Sequence, residues 1–137
     1  MITSKAYLTD LTYQINGAAI EVHKALGAGL LESAYHRCMI HELLLRGISF
    51  QTEMLVPVHY KGMDIDTNLR CDLFVENVLT IELKSVDKVM PIHEAQIITY
   101  MKLLGSPKGI IYNFNTVNLY SEGQRTYVND LYRILPD

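Results

Sequence analysis

The chain of 137 residues carries only two cysteines, Cys38 and Cys71. One falls in a helical pattern and one in a strand-like stretch, so both read as reduced, buried thiols and not as a disulfide framework. No Cys or His cluster has zinc-ligand spacing. No glycine-rich loop has the G-x-x-x-x-G-K-[ST] or G-x-G-x-x-G spacing that cradles phosphates, and no Ser or Cys stands in a nucleophile elbow. No apolar run approaches the length of a membrane span. The opening Met1-Ile2-Thr3-Ser4-Lys5 lacks the apolar core of a signal peptide. The expectation is a cytoplasmic chain with no membrane association. Excess positive charge is also missing: the formal net charge is −3. That argues against a broad nucleic-acid-coating surface but leaves room for a local basic groove beside an acidic site. Repeats, linkers and low-complexity segments are absent. With 49% hydrophobic and 20% charged residues, the chain has the composition of one compact domain spanning 1–137.

The most informative stretch runs from Leu69 to Lys84. It reads as two apolar strands joined near Glu76-Asn77, with three charges where a strand core favours Val or Ile: Asp72, Glu82 and Lys84. Strand side chains alternate, so Glu82 and Lys84 share one face while Leu79, Ile81 and Leu83 share the other. Glu82 and Lys84 then stand roughly 7 Å apart. A two-residue loop would pair Cys71 with Glu82 and send Asp72 to the wrong face. A three-residue loop through Val78, or a bulge, sets Asp72 opposite Glu82, and this arrangement is expected. Two carboxylates on adjacent strands suit a hard cation, Mg²⁺ or Mn²⁺. Such a metal activates water for attack on phosphate, and Lys84 helps aim the water. On its own, Glu-x-Lys more often describes a solvated strand face.

Around this pair the pattern is α/β. A helix is expected over Asp10–Leu26, capped by Thr9 or Asp10, with His23 at its end facing the dipole or a carbonyl. Gly27-Ala28-Gly29 breaks it, and a second helix follows over Leu30–Arg46, closed by Gly47. Glu32 in its first turn is either a dipole-favoured carboxylate or a third acidic group. Gly29, Glu32 and His36 share one side of this helix; His36 and His41, five apart, read as boundary residues. Gln51–Tyr60 alternates as a strand, with Pro57 marking an edge or bulge. Met63–Ile65 begins the return strand. Pro91 opens a helix to Leu104, stopped by Gly105, with Ile97, Ile98, Met101 and Leu104 buried. Gln96 and Tyr100, four apart, share a face; they either flank the core or reach toward the strand ends, to a phosphate or to Lys84. Lys108–Phe114 is a strand buried on both faces, which completes a parallel crossover. Val117–Ser121 is expected as a last strand and Thr126–Leu135 as a short closing helix.

This order resembles the PD-(D/E)xK nuclease superfamily: a helix with Glu, a hairpin with Asp, a strand with Glu-x-Lys, a helix with Gln-x-x-x-Tyr, then a strand. Gly29-Leu30-Leu31-Glu32-Ser33-Ala34-Tyr35 is similar to the motif of the GxxExxY proteins, a group of small nuclease-like chains. Val22–Gly27 and Asn113-Phe114 look similar too. The likeness covers about Leu11 to Tyr120. It implies a restriction-endonuclease-like core, a mixed central sheet flanked by helices. It implies Asp72 and Glu82 as metal ligands, the Leu83 carbonyl as a third, and Glu32 completing the acidic cluster through water. It further implies Lys84 as the group that positions the nucleophilic water. Gln96 and Tyr100 match the Q-x-x-x-Y motif of RecB-type nucleases and would support the site or touch nucleic acid. Cys71 stands where the superfamily name has Pro. The implied partner is nucleic acid, DNA before RNA, with a homodimer or another protein partner left open. The rival readings are a non-catalytic nucleic-acid- or protein-binding module on the same fold, and a protein-interaction domain using Gly29–Tyr35.

Overall fold

The computed structural model of the chain describes residues 3–137. Helix α1 (Lys5–Leu26) starts earlier than its pattern suggested, because the Ser4 hydroxyl accepts the Tyr7 N–H at 3.1 Å and caps it. Leu8, Leu11, Ile15, Ala18, Ala19 and Val22 form its buried stripe. Gly27 ends the helix at φ 74°, a conformation that costs glycine little. Helix α2 (Glu32–Leu45) buries Tyr35, Met39 and Leu43, spaced four apart.

The described residues then form a five-stranded sheet in the order β1-β4-β5-β6-β7 and a separate two-stranded hairpin of β2 and β3. The main-sheet strands are β1 (Phe50–Leu55), β4 (Arg70–Val75), β5 (Leu79–Lys84), β6 (Lys108–Asn113) and β7 (Gln124–Val128). The hairpin is β2 (Val58–Tyr60) with β3 (Met63–Ile65). The single strand expected over Gln51–Tyr60 is therefore divided at Pro57, which cannot donate to a ladder. Only β5 and β6 run parallel, and helix α3 (Pro91–Leu104) makes the crossover between them. The sheet is mixed, as expected. One face packs with α1 and α2 through Leu73, Leu79, Ile81, Leu83, Ile110 and Tyr112. The other packs with α3 through Phe74 and Ile111.

Three further expectations need correcting. On α3 the buried positions are Ile97, Tyr100 and Met101, while Ile98 is 47% exposed; the stripe is rotated by one residue toward the aromatic ring. Val117–Ser121 is not a strand. The Asn118 side chain accepts the Ser121 N–H and the Glu122 carboxylate accepts the Asn118 N–H, which turns the chain into a single π-helical turn, Leu119–Gly123. Thr126–Leu135 is not a helix. Residues of β7 pair with β6 from Lys108↔Val128 to Tyr112↔Gln124, so tertiary pairing overrides local pattern. Only α4 (Asp130–Arg133) remains helical, capped by Asn129.

Gly123 meets the end of β6 closely: a Cβ there would lie 2.2 Å from the Asn113 carbonyl oxygen. Gly123→Ala is expected to cost ~1–3 kcal/mol through overpacking against rigid backbone. The check is a lower urea midpoint with an unchanged m-value.

Candidate functional site

The turn between β4 and β5 has three residues, Glu76, Asn77 and Val78. Glu76 and Asn77 adopt φ of 52° and 55°, unusual for residues with a Cβ. Ser49 holds the turn: its carbonyl accepts the Glu76 N–H, and its own N–H donates to the Glu76 carboxylate. The resulting register pairs Val75 with Leu79, Phe74 with Thr80 and Leu73 with Ile81. Continued by one step it sets Asp72 opposite Glu82, the arrangement expected from the sequence.

Main-chain pairing stops before that step, and side chains take over. The Asp72 N–H donates to Glu82 Oε2 at 2.8 Å, and the Leu83 N–H donates to Asp72 Oδ2 at 2.8 Å. On the other edge of β4 the ladder with β1 passes from Thr52↔Leu73 to Met54↔Cys71, and the skipped Glu53 has φ 53°. Strand alternation is broken here as well, since the Cys71 side chain clusters with Phe74 and Tyr100 and not with the Leu73 side chain, while its thiol donates to the Leu73 carbonyl at 3.1 Å. Asp72 thus sits in a local opening of the sheet.

Glu82 is only 4% exposed, which rules out a solvated strand face. Burial, then the Asp72 carboxylate, push its pKa up to about 8. Burial also raises Asp72, against the opposing effect of the Leu83 N–H, His36 and Lys84. Glu32 is raised by burial and Asp72, with Lys84 and His36 acting the other way. Lys84 is half-buried and makes no ion pair among the described residues. Asp72 Oδ1 and Glu82 Oε1 accept no hydrogen bond among the described residues, yet neither is sealed from solvent. The chemistry of this donor set fits a divalent cation: two hard oxygens on closely placed carboxylates, whose proton affinity is raised by burial and, for Glu82, by the Asp72 carboxylate. Among the described residues no three His, Cys, Asp or Glu side chains stand close enough to hold a metal between them. Glu32 is an electrostatic neighbour of the pair.

A family profile, that of the PD-(D/E)XK nuclease superfamily, matches residues 9–126. The chain belongs to the PD-(D/E)XK nuclease superfamily. Searches of curated proteins and of solved structures returned no match. The five-stranded mixed sheet with flanking helices agrees with the restriction-endonuclease-like fold of the superfamily. The residues expected to carry its lettered pattern, Asp72 and Glu82-Leu83-Lys84, lie on the neighbouring strands β4 and β5.

The PD-(D/E)XK pattern omits the residues that hold this opening in place. Tyr35 is fully buried; its hydroxyl donates to the Gly27 carbonyl at 2.6 Å and accepts the Leu30 N–H at 3.2 Å. Its ring stacks on Phe114 at 4.5 Å. The Ser85 hydroxyl donates to the Leu30 carbonyl at 2.6 Å, tying the same loop to the end of β5. The Phe114 N–H donates to the Lys84 carbonyl, while the Asn113 amide takes both the N–H and the C=O of Val86. Gly29, at φ 93°, allows the loop to turn so that α2 begins at Glu32.

His36, read from the sequence as a boundary residue, lies against the site. Its Nε2 is 3.1 Å from the Asp72 carbonyl and 3.0 Å from Thr52 Oγ1. The signal for it was its place four residues after Glu32. Tyr100 is 4% exposed and packs with Cys71; burial raises its pKa, and Glu82 adds to the shift. Gln96 is half-buried and makes no side-chain hydrogen bond among the described residues. His23 fulfils the simpler expectation, with Nε2 2.8 Å from the Thr116 carbonyl.

The raised Glu82 pKa carries a sign. The folded state holds a proton that the unfolded chain releases near 4.5. The resulting stability is fully present below that value and is lost as pH rises toward about 8. The metal-free protein is expected to lose urea resistance steadily between these values, and Glu82→Gln to flatten the slope. Parallel slopes in the two proteins would show that the carboxyl titrates normally.

Proposed function

We propose that residues 1–137 act as one domain that hydrolyses phosphodiester bonds with a divalent metal, DNA before RNA. Within the superfamily we group it with the GxxExxY proteins, on Gly29, Glu32 and Tyr35. The observation that carries the reading is the pair Asp72 and Glu82, facing each other where the ladder opens, with Lys84 two residues on.

Asp72 and Glu82 would hold Mg²⁺ or Mn²⁺, with the Leu83 carbonyl as a further oxygen and Glu32 acting through water. Such a cation supplies Lewis-acid activation of water and neutralises phosphate charge. The chain's own groups do the remaining work. The Leu83 and Asp72 N–H groups fix one oxygen of each carboxylate, so the other points reproducibly. Lys84 donates to the attacking water or to a phosphate oxygen and stabilises the charge that builds there. His36 steadies the Asp72 backbone. Tyr100 packs against Cys71 on the α3 side of the cluster, and Gln96, one turn before it, would support the site or touch nucleic acid.

In a labelled panel of single-stranded, duplex and branched DNA and of RNA, at least one substrate should be cleaved in Mg²⁺ or Mn²⁺, DNA before RNA, and spared in EDTA. Lys84→Ala and Glu82→Ala should each lose about 10²-fold or more of the rate, the scale of a positioned acid–base group. Cleavage that survives both substitutions would remove this site from the reaction. Metal and nucleic-acid binding without cleavage of any substrate would favour the non-catalytic module.

A further inference from the structure

A second cluster of charge lies at the far end of the sheet and takes no part in the chemistry above. Lys108 opens β6 and pairs with Leu79, the first residue of β5. Lys84 is five residues along that strand, roughly 16 Å away at ~3.3 Å per residue. Along β6, Ile110 and Tyr112 point into the core beneath α1, so alternation sends the Lys108 stem the same way. Lys108 is 8% exposed, and its ammonium has no hydrogen-bond or ion-pair partner among the described residues. Burial lowers its pKa.

Lys108 borders a cavity of about 540 Å³ along α1. Arg46, just past α2, borders it too. The Nε of Arg46 is held by Glu42 at 2.7 Å. Its outer nitrogens lie across Gly17, where a Cβ would come within 3.1 Å of Nη1. The missing side chain is what lets the guanidinium lie over the helix. Asn16 also borders the cavity; its Oδ1 accepts the Tyr112 hydroxyl, which leaves the Nδ2 as a donor. Tyr13 and Tyr120 complete the rim, 79% and 61% exposed. None of the lining residues belongs to the carboxylate cluster.

The Lys108 stem is buried while its ammonium is not sealed from solvent, and with no partner of its own the ammonium is free to take an anion at the cavity. A lysine point charge and an arginine fork together suit a phosphate. The volume falls in the range of small-molecule sites, about 300–1,000 Å³, and exceeds what a bare phosphate fills. The rest of the space is flanked by two exposed tyrosine rings, which offer stacking to a planar base. We propose that this cavity binds a phosphorylated nucleoside, with Lys108 and Arg46 on the phosphate and Tyr13 and Tyr120 beside the base. The ligand is either a free mononucleotide or the 5′-phosphate end of a strand. The site stands whether or not the carboxylate cluster cleaves nucleic acid.

The test is a ¹⁵N–¹H titration of the full chain in EDTA with AMP, a short 5′-phosphorylated DNA, adenosine and inorganic phosphate. The amides of Gly17 and Gly109 should shift saturably with AMP, with the DNA, or with both. Equal affinity for AMP and DNA identifies a free nucleotide as sufficient; clearly tighter DNA binding identifies the strand end. Adenosine and phosphate should each bind about tenfold or more weakly than the phosphorylated nucleoside, the scale of a charge-assisted hydrogen bond. Lys108→Met and Arg46→Gln should each weaken binding by a similar factor, whereas Glu82→Gln should not. Arg46 is exposed, so Arg46→Gln decides alone if Lys108→Met fails to fold. The proposal is overturned by no saturable shift, by binding that both variants retain, by loss in Glu82→Gln, or by phosphate binding as tightly as AMP.

Discussion

Two hydrogen bonds from backbone to side chain decide where this protein keeps its acidic pair. Past Leu73 and Ile81, β4 and β5 stop bonding to each other through main chain alone. The N–H groups of Asp72 and Leu83 would then be buried without partners, a cost of ~1–3 kcal/mol each. Each strand's carboxylate answers the other strand's N–H. The exchange consumes one oxygen per carboxylate and leaves one, so the same bonds that close the sheet's account create a two-oxygen donor site. Burial then makes the remaining charge expensive, which is why Glu82 holds its proton so strongly. Structure and chemistry here share one cause.

The rest of the molecule can be understood as support for that opening. Tyr35, Ser85, Asn113 and Phe114 form a set of ties between the loop before α2 and the ends of β5 and β6. None of them carries a charge. They determine how far the first turn of α2, with Glu32, stands from Lys84, and they keep the chain after Lys84 from drifting. The Gly29, Glu32 and Tyr35 motif therefore has a divided physical meaning. Its glycine turns the loop, its tyrosine locks it, and its glutamate is the member whose environment senses Asp72 and Lys84.

Local rules made the central hairpin, α3 and β6 legible. The alternation in Leu79–Lys84 placed Glu82 and Lys84 correctly. The need to bring Asp72 to the same face pointed to the three-residue turn, and Pro91 and Gly105 bracketed α3. What stayed hidden depends on contacts between distant segments. The kink that turns Cys71 toward Tyr100 arises from pairing with β1, where Glu53 is skipped, and no local pattern marks it. His36 becomes a site neighbour only because α2 packs on the sheet and brings its Nε2 to the Asp72 carbonyl. The C-terminal stretch misled for the opposite reason. Thr126–Leu135 has a plausible helical pattern, but the open edge of β6 offers ladder hydrogen bonds that a helix there would forgo.

The parallel pairing of β5 and β6 has a further consequence for charge. It puts both strand starts, Leu79 and Lys108, at one end of the sheet and both strand ends, Lys84 and Asn113, at the other. Open α/β sheets tend to bind ligands beyond the carboxyl ends of their strands. The acidic pair follows that tendency. Lys108 sits at the opposite end, where its long stem passes beneath α1 before its charge reaches open space. A net charge of −3 averages over these two regions and describes neither. Had the crossover returned β6 antiparallel to β5, Lys108 would lie beside Lys84, and its ammonium could neutralise the carboxylates directly. Keeping it away preserves the acidic pair's demand for a cation and leaves the opposite end of the sheet able to attract an anion.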